Sequence, residues 1–332
     1  MNQTKTKVSV LNLVPRFGNE SVATSLERAT NLAKIVEELG YERYWVGEHH
    51  NIKVLVCSAT ELIIQNILAQ TKTISVGSGG VLLPNHTNLQ IAEAYGTLAS
   101  LYPNRVELGV GRAAGTDVLT RNLIYRQSIS DLRSYEASIK ELEQYFADDE
   151  DQDQVKAFNA IDTEVPVFVL GGSVHSARIA AKLGLPYAFA SHFSSENMKE
   201  VIDVYRNEFK PSDKLAKPYV ILALTAFILE DDDRACQTAS ITIDKLKGIA
   251  QEKAKLYPHH NEEDPMDISS AEKLFTGEKG LKLVGGPSQA TKQWLEIKDL
   301  IQPDEVMAST PFEAMDDLKE SYRILKDIIE NN

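Results

Sequence analysis

Residues 165–193 read VPVFVLGGSVHSARIAAKLGLPYAFASHF, and this stretch decides the fold. VPVFVLGGS (165–173) is apolar on both faces, the pattern of a parallel strand covered on two sides. HSARIAAKLG (175–184) is a helix stopped by glycine, and PYAFASHF (186–193) is the next strand. The same alternation runs outward in both directions. Towards the N-terminus, strands are predicted at VSVLNLVP (8–15), RYWVGEHH (43–50), TISVGSGGVLLP (73–84) and RVELGVGR (105–112). Helices are predicted between them: a stripe of Leu26, Ala29, Ala33 and Val36 stopped at Gly40, then 58–70, 88–101 and 129–146. Towards the C-terminus, a helix around 198–209 precedes PYVILALTAFILE (218–230), and DEVMAST (304–310) supplies an eighth strand.

Eight strands separated by helices predict an α/β fold, a (β/α)8 TIM barrel. No Pro/Gly/Ser-rich linker divides residues 1–332, so a single domain is expected. The alternation breaks after the seventh strand. Residues 252–282 are polar, charged and contain Pro258 and Pro265, an insertion that reads as a mobile lid or a solvated excursion.

Composition limits the function. Lys+Arg 35 against Asp+Glu 48 gives a net charge of −13, with no basic patch for nucleic acid or an anionic membrane. Two cysteines, Cys57 and Cys236, make no disulfide framework and suit a reducing compartment. The longest apolar stretch, 219–229, is about half of a membrane span, and the N-terminal apolar run is too short for a secretory signal. A soluble, cytoplasmic protein is expected.

In such barrels the chemistry gathers at the C-terminal ends of the strands. Glu48, His49 and His50 end the second strand, and Gly77, Ser78, Gly79 and Gly80 the third, with Asn85 and His86 beyond. Gly109, Gly111 and Arg112 end the fourth, followed by Gly115, Thr116 and Asp117. The fifth ends in Gly171, Gly172 and Ser173, and the sixth in Ser191, His192 and Phe193. Metal binding is not expected: neighbours on a strand face opposite ways, no His-x-His occurs, and the cysteines lack ligand spacing. GGSVHS (171–176) opening a helix is an anion site, with free helix N–H groups, hydroxyls on Ser173 and Ser176, and Arg112 as a fixed cation from the neighbouring strand. The G-x-G-x-x-A at 109–114 imitates a dinucleotide fingerprint, but no helix opens at once after it. Finally, VLVCSATELIIQNILA (54–69) is apolar on more than one face, which predicts a homodimer built on the second and third barrel helices.

GEHHN (47–51), VGSGGVLLPNH (76–86), AEAYGTLASLYPNRVELGVGRAAGTD (92–117) and LGGSVHSARIAAKLGLPYAFASHF (170–193) resemble the bacterial luciferase-like flavin-dependent monooxygenases. The resemblance covers most of residues 8–210 and thins beyond. It implies a barrel that binds FMN, reduced FMN supplied by a separate NAD(P)H-dependent flavin reductase, and O2 added to it as a peroxyflavin that oxidises a small organic substrate, aldehyde-like or otherwise apolar. It also implies His49 as the active-site histidine with Glu48 and His50 beside it. Arg112, Gly172, Ser173 and Ser176 would hold the flavin phosphate, and a cis Gly79–Gly80 peptide would lie against the ring. A deazaflavin-dependent hydride-transfer enzyme and a non-catalytic flavin-binding protein are the alternatives. KVLVCSAT (53–60) departs from the Pro-Gly turn common in relatives, and PFEAMDD (311–317) lacks a histidine pair often found there.

Overall fold

The computed structural model describes residues 5–113, 115–124, 134–152, 154–256 and 280–332. Strands β1 (Lys7–Asn12), β2 (Arg43–Val46), β3 (Ser75–Leu82), β4 (Val106–Gly111), β5 (Val167–Gly171), β6 (Tyr187–Phe189) and β7 (Val220–Ile228) follow one another in parallel. β8 (Lys282–Gly285) and β9 (Glu305–Ser309) complete the set. The circle closes through β9, which pairs with β7 on one side and β1 on the other. The result is a (β/α)8 barrel with one strand, β8, outside it.

β8 was not anticipated, since the polar excursion covered its first residue. It exists because β7 is long and wholly buried. Ile221–Thr225 of β7 pair with β9, while Thr225–Ile228 run past the circle and pair with β8. The insertion keeps its place after the seventh strand, but residues 252–256 belong to a helix and 257–279 lie outside the described residues.

The helices are α1 (Val22–Glu38), α2 (Thr60–Gln70), α3 (Asn88–Leu101), α4 (Val118–Ile124), α5 (Tyr135–Phe146) and α6 (Val174–Leu183). α7 (Met198–Glu208), α8 (Asp232–Leu256), α9 (Pro287–Ile301) and α10 (Met315–Asn331) follow. The first part of the helix expected at 129–146 lies outside the described residues. α1 shows the general logic: Ala29, Leu32, Ala33 and Val36 are buried on one stripe, and Ser21 caps its N-terminus by accepting from Thr24 N.

Two expected strands end four residues early, and both endings shape the mouth. β2 stops at Val46 and β6 at Phe189, so 47–50 and 190–193 are loops. After β6 the chain turns at once, with Ser191 N donating to Phe189 O.

The extra apolar face expected on 54–69 is mostly turned inward. Val54, Leu55, Ile63, Ile64, Ile67 and Leu68 are buried within the chain, leaving Leu62 exposed at 71%. Among the described residues no helix is long and apolar enough to cross a membrane.

Candidate active site

The loop after β2 is built around the Glu48 carboxylate, which is 2% exposed. Oε1 accepts from His50 Nε2 at 2.8 Å, His86 Nε2 at 2.8 Å and Asn85 Nδ2 at 2.9 Å. Oε2 accepts from the Leu82 amide at 2.8 Å. Burial opposes the charge, but these donors prevail and hold the carboxyl at about 2. His86 is shifted upward because its contact with Glu48 outweighs its own burial. Glu48 and His50 therefore face one another and the end of β3. They position the loop, and Glu48 has no exposed oxygen to offer a substrate.

His49 is set apart from this clasp. Its Nδ1 lies 3.3 Å from Gly115 O, and a carbonyl can only accept, so Nδ1 carries the proton and Nε2 keeps a lone pair. Burial lowers its pKa to about 4, so the ring is neutral at pH 7. The β4 loop braces this segment. His50 N donates to Gly115 O, Thr116 Oγ1 to His50 O, and Asn51 Nδ2 to Asp117 Oδ2. Gly115 has φ +62°, and a Cβ there would sit 2.2 Å from Leu82 Cδ1, so only glycine fits. The Gly-Thr-Asp segment is thus a strap across the histidine loop.

The Gly79–Gly80 peptide is cis. Packing within the barrel already demands the two glycines. A Cβ on Gly79 would lie 2.8 Å from Leu11 Cδ1, and one on Gly80 2.7 Å from Gly109 O.

At the end of β5, Gly172 and Ser173 are exposed and lead into α6. Ser173 and Ser176 form a capping box, and Ser176 Oγ also lies 3.0 Å from Tyr187 OH. The two serines thus serve the helix end itself, leaving the N–H groups of Val174 and His175 with no intrahelical acceptor. Arg112 is exposed at the end of β4, with no ion pair among the described residues. Its charge is felt at Tyr135, whose hydroxyl donates to Val110 O. A free helix N-terminus and an unpaired guanidinium on neighbouring strands fit a phosphate. Among the described residues no His/Cys/Asp/Glu group could hold a metal ion.

Sequence reasoning placed Asn85, His86 and His192 at strand ends without giving them roles. His192, 5% exposed, leaves Nδ1 with no hydrogen-bond partner, and burial followed by the nearby His49 lowers its pKa to about 3. Thr310, after β9, carried no signal at all.

The profile of the luciferase-like monooxygenase family matches residues 7–301. A protein described as a luciferase-like monooxygenase in Escherichia coli (strain K12) is 39% identical over 68% of this chain and 67% of its own length. Protein YvbT of Bacillus subtilis (strain 168) is 38% identical over 99% of both chains. Among solved structures, apo-MsnO8 superposes with TM-score 0.83 at 28% identity over 99% of both chains. Two more distant structures share the fold. One is the oxygenating constituent of 3,6-diketocamphane monooxygenase from Pseudomonas putida in complex with FMN, at 14% identity and TM-score 0.68 over 99% of both chains. The other is an F420-dependent secondary alcohol dehydrogenase, at 14% identity and TM-score 0.64 over 98% of this chain and 99% of that one. The chain belongs to the luciferase-like monooxygenase family and is an oxidoreductase of that family.

Proposed function

We propose that this member of the luciferase-like monooxygenase family binds FMN at the barrel mouth and uses its reduced form with O2 to oxidise a small, largely apolar organic substrate. The observation that carries the reading is the unpaired Arg112 beside the open N-terminus of α6, a site for a phosphate dianion. Bound reduced FMN supplies two electrons to O2, one oxygen atom going to the substrate and the other to water. The chain's own residues do the rest. Arg112 and the Val174 and His175 amides hold the phosphate, with Gly172 and Ser173 forming the turn and Ser176 fixing the cap. His49 presents a neutral Nε2 that accepts a hydrogen bond or a proton at the reacting centre. Glu48 and His50 hold His49 in place through the loop. Gly79 and Gly80 would face the flavin ring near the end of β3.

On this reading reduced FMN comes from a separate NAD(P)H-dependent flavin reductase, and the protein is cytoplasmic. The protein works as a homodimer through α2 and α3, where Leu62 at 71% and Leu101 at 61% exposure offer the apolar contact. Light scattering at twice the 36.9 kDa chain mass checks this.

The deciding experiment is fluorescence titration with FMN and, in parallel, with F420. Wild type saturates with FMN, and Arg112→Ala weakens binding by about 10- to 100-fold, the worth of a charge-assisted contact. His49→Ala keeps FMN affinity and loses roughly 100-fold in substrate oxidation. Unchanged FMN affinity in Arg112→Ala overturns the phosphate assignment. Saturation by F420 with no FMN binding replaces the oxygenase by a hydride-transfer enzyme.

A further inference from the structure

A narrow cleft, part of it open to solvent, runs between the ends of β1, β7 and β9 and the helices α1 and α10. Leu11, Leu13, Phe312 and Leu318 give it apolar walls, and His192 and Thr310 also line it.

Several polar groups in the cleft are already spent, while the Thr225 and Ser309 hydroxyls line it as well. Asn12 donates to Tyr44 OH and accepts from Val14 N at 2.6 Å. Ser25 Oγ donates to Glu20 Oε1 at 2.8 Å. Arg28 is neutralised by Glu20, with Nη1 to Oε2 at 2.7 Å, and donates to Pro15 O at 2.6 Å. Two buried atoms stand out from this pattern. His192 Nδ1 has no partner, and Thr310, beside the Tyr322 hydroxyl, leaves Oγ1 without one in hydrogen-bond geometry. Tyr322 OH donates instead to Ala308 O at 3.5 Å. The two residues are 5% and 7% exposed, so water does not freely serve them. Burying polar atoms unpaired is unfavourable, and a protein that does so beside an open cleft has left them for a ligand.

We propose that His192 and Thr310 form a polar subsite that takes the uncharged carbonyl or hydroxyl head of the organic substrate, with the cleft walls holding its apolar body. This rests on the oxidoreductase reading above and adds the substrate class to it. A neutral imidazole has one donor and one acceptor nitrogen, and a threonine hydroxyl does both, so ketone and alcohol heads are each served. A carboxylate is not. Burial keeps His192 neutral, and Arg28, the cation among the described residues of the cleft, is bound to Glu20. A charged head would have to shed its water without meeting a counter-charge. His49 is not among the residues lining this cleft, though a charged His49 would act on His192.

The test titrates octan-2-one, octan-1-ol and octanoate into protein with 15N-labelled histidine. The His192 signals are assigned by their loss in His192→Asn. The ketone and alcohol shift the His192 signals and bind at least about fivefold more tightly than octanoate. His192→Leu and Thr310→Val each weaken the ketone by about fivefold, whereas His192→Asn, which keeps a polar nitrogen near the Nδ1 position, stays within about twofold of wild type. Equal binding of octanoate, an unmoved His192 signal, or variants that bind as wild type would overturn the subsite. FMN titration of wild type and Thr310→Val separates the two readings. Ketone binding without FMN binding sinks the flavin reading and leaves the subsite, and the reverse sinks the subsite alone.

Discussion

The two ends of the barrel both bury carboxylates, and they satisfy them in opposite ways. At the N-terminal end, Arg43 of β2 meets Glu107 of β4 at 3.1 Å and Glu305 of β9 at 3.0 Å, with its guanidinium 4.9 Å from the Phe168 ring. Trp45 Nε1 donates to Glu107 at 2.7 Å, Tyr219 OH to Glu305 at 2.7 Å, and Ser9 Oγ also to Glu305. One guanidinium, an indole and two hydroxyls answer the two carboxylates, and the floor is sealed. At the mouth, Glu48 is served by an amide, an asparagine and two imidazoles, with no Arg or Lys among the donors. The result there is placement rather than a seal. His49 Nε2, His192 Nδ1, Thr310 Oγ1 and Arg112 there have no hydrogen-bond or ion-pair partner among the described residues, which on the proposed reading leaves them for a ligand. A sealed end stabilises, and an open end recognises.

The largest expected effect tests the seal. Arg43→Met leaves Glu107 and Glu305 buried without their cation and costs about 3–5 kcal/mol of unfolding free energy. Urea denaturation measures it, and a loss below about 1 kcal/mol would mean that water already reaches the floor. The mouth should lose less. Glu48→Gln puts an NH2 group against donors that expect an oxygen, costing about 1.5–3 kcal/mol. The accompanying signature is local, because the His50 and His86 imidazole signals move while the Trp45 indole signal does not. A shift of both regions together would dissolve the comparison.

Much of this was legible in sequence, and the limits have physical causes. Alternation and doubly apolar strands gave the barrel because each strand of a parallel sheet must be covered on both faces. Strand ends gave the neighbourhood of the site. Partner choice was hidden, since Glu48 finds Leu82, Asn85 and His86 only once β2 and β3 are paired. His50 was grouped with His49 for chemistry, yet the loop that starts at Gly47 turns it to Glu48 instead. β8 was illegible because a four-residue strand beside a polar insertion carries too little pattern. Leu62 shows the same limit from the other side. Apolar residues around a helix announce burial without saying whether the cover is the same chain or a second copy.

Acid gives the finest division between the two ends, because their signs oppose. His49 and His192 have pKa values lowered to about 4 and about 3. The unfolded chain therefore binds more protons than the native one below 6.5, and stability falls as pH drops through that window. Glu48, held at about 2, adds a further loss as pH falls below 4.5. His86 is raised, so its contribution is present in acid and fades as pH rises past its native pKa, offsetting part of the loss. At the floor, burial lifts Glu107 above 4.5 against the pull of Arg43, so the native state holds that proton better and gains stability as pH falls towards 4.5. Thermal melts from pH 8 to pH 5 should show a decline of about a few degrees in wild type. His192→Asn, which cannot titrate, should flatten it. In Glu107→Gln the gap from wild type should change steadily as pH falls through the Glu107 titration and then level off. A His192→Asn profile parallel to wild type would show that the imidazoles at the mouth are hydrated and charged like those on the surface. The contrast between a sealed floor and an open but dry mouth would then fail at its driest point.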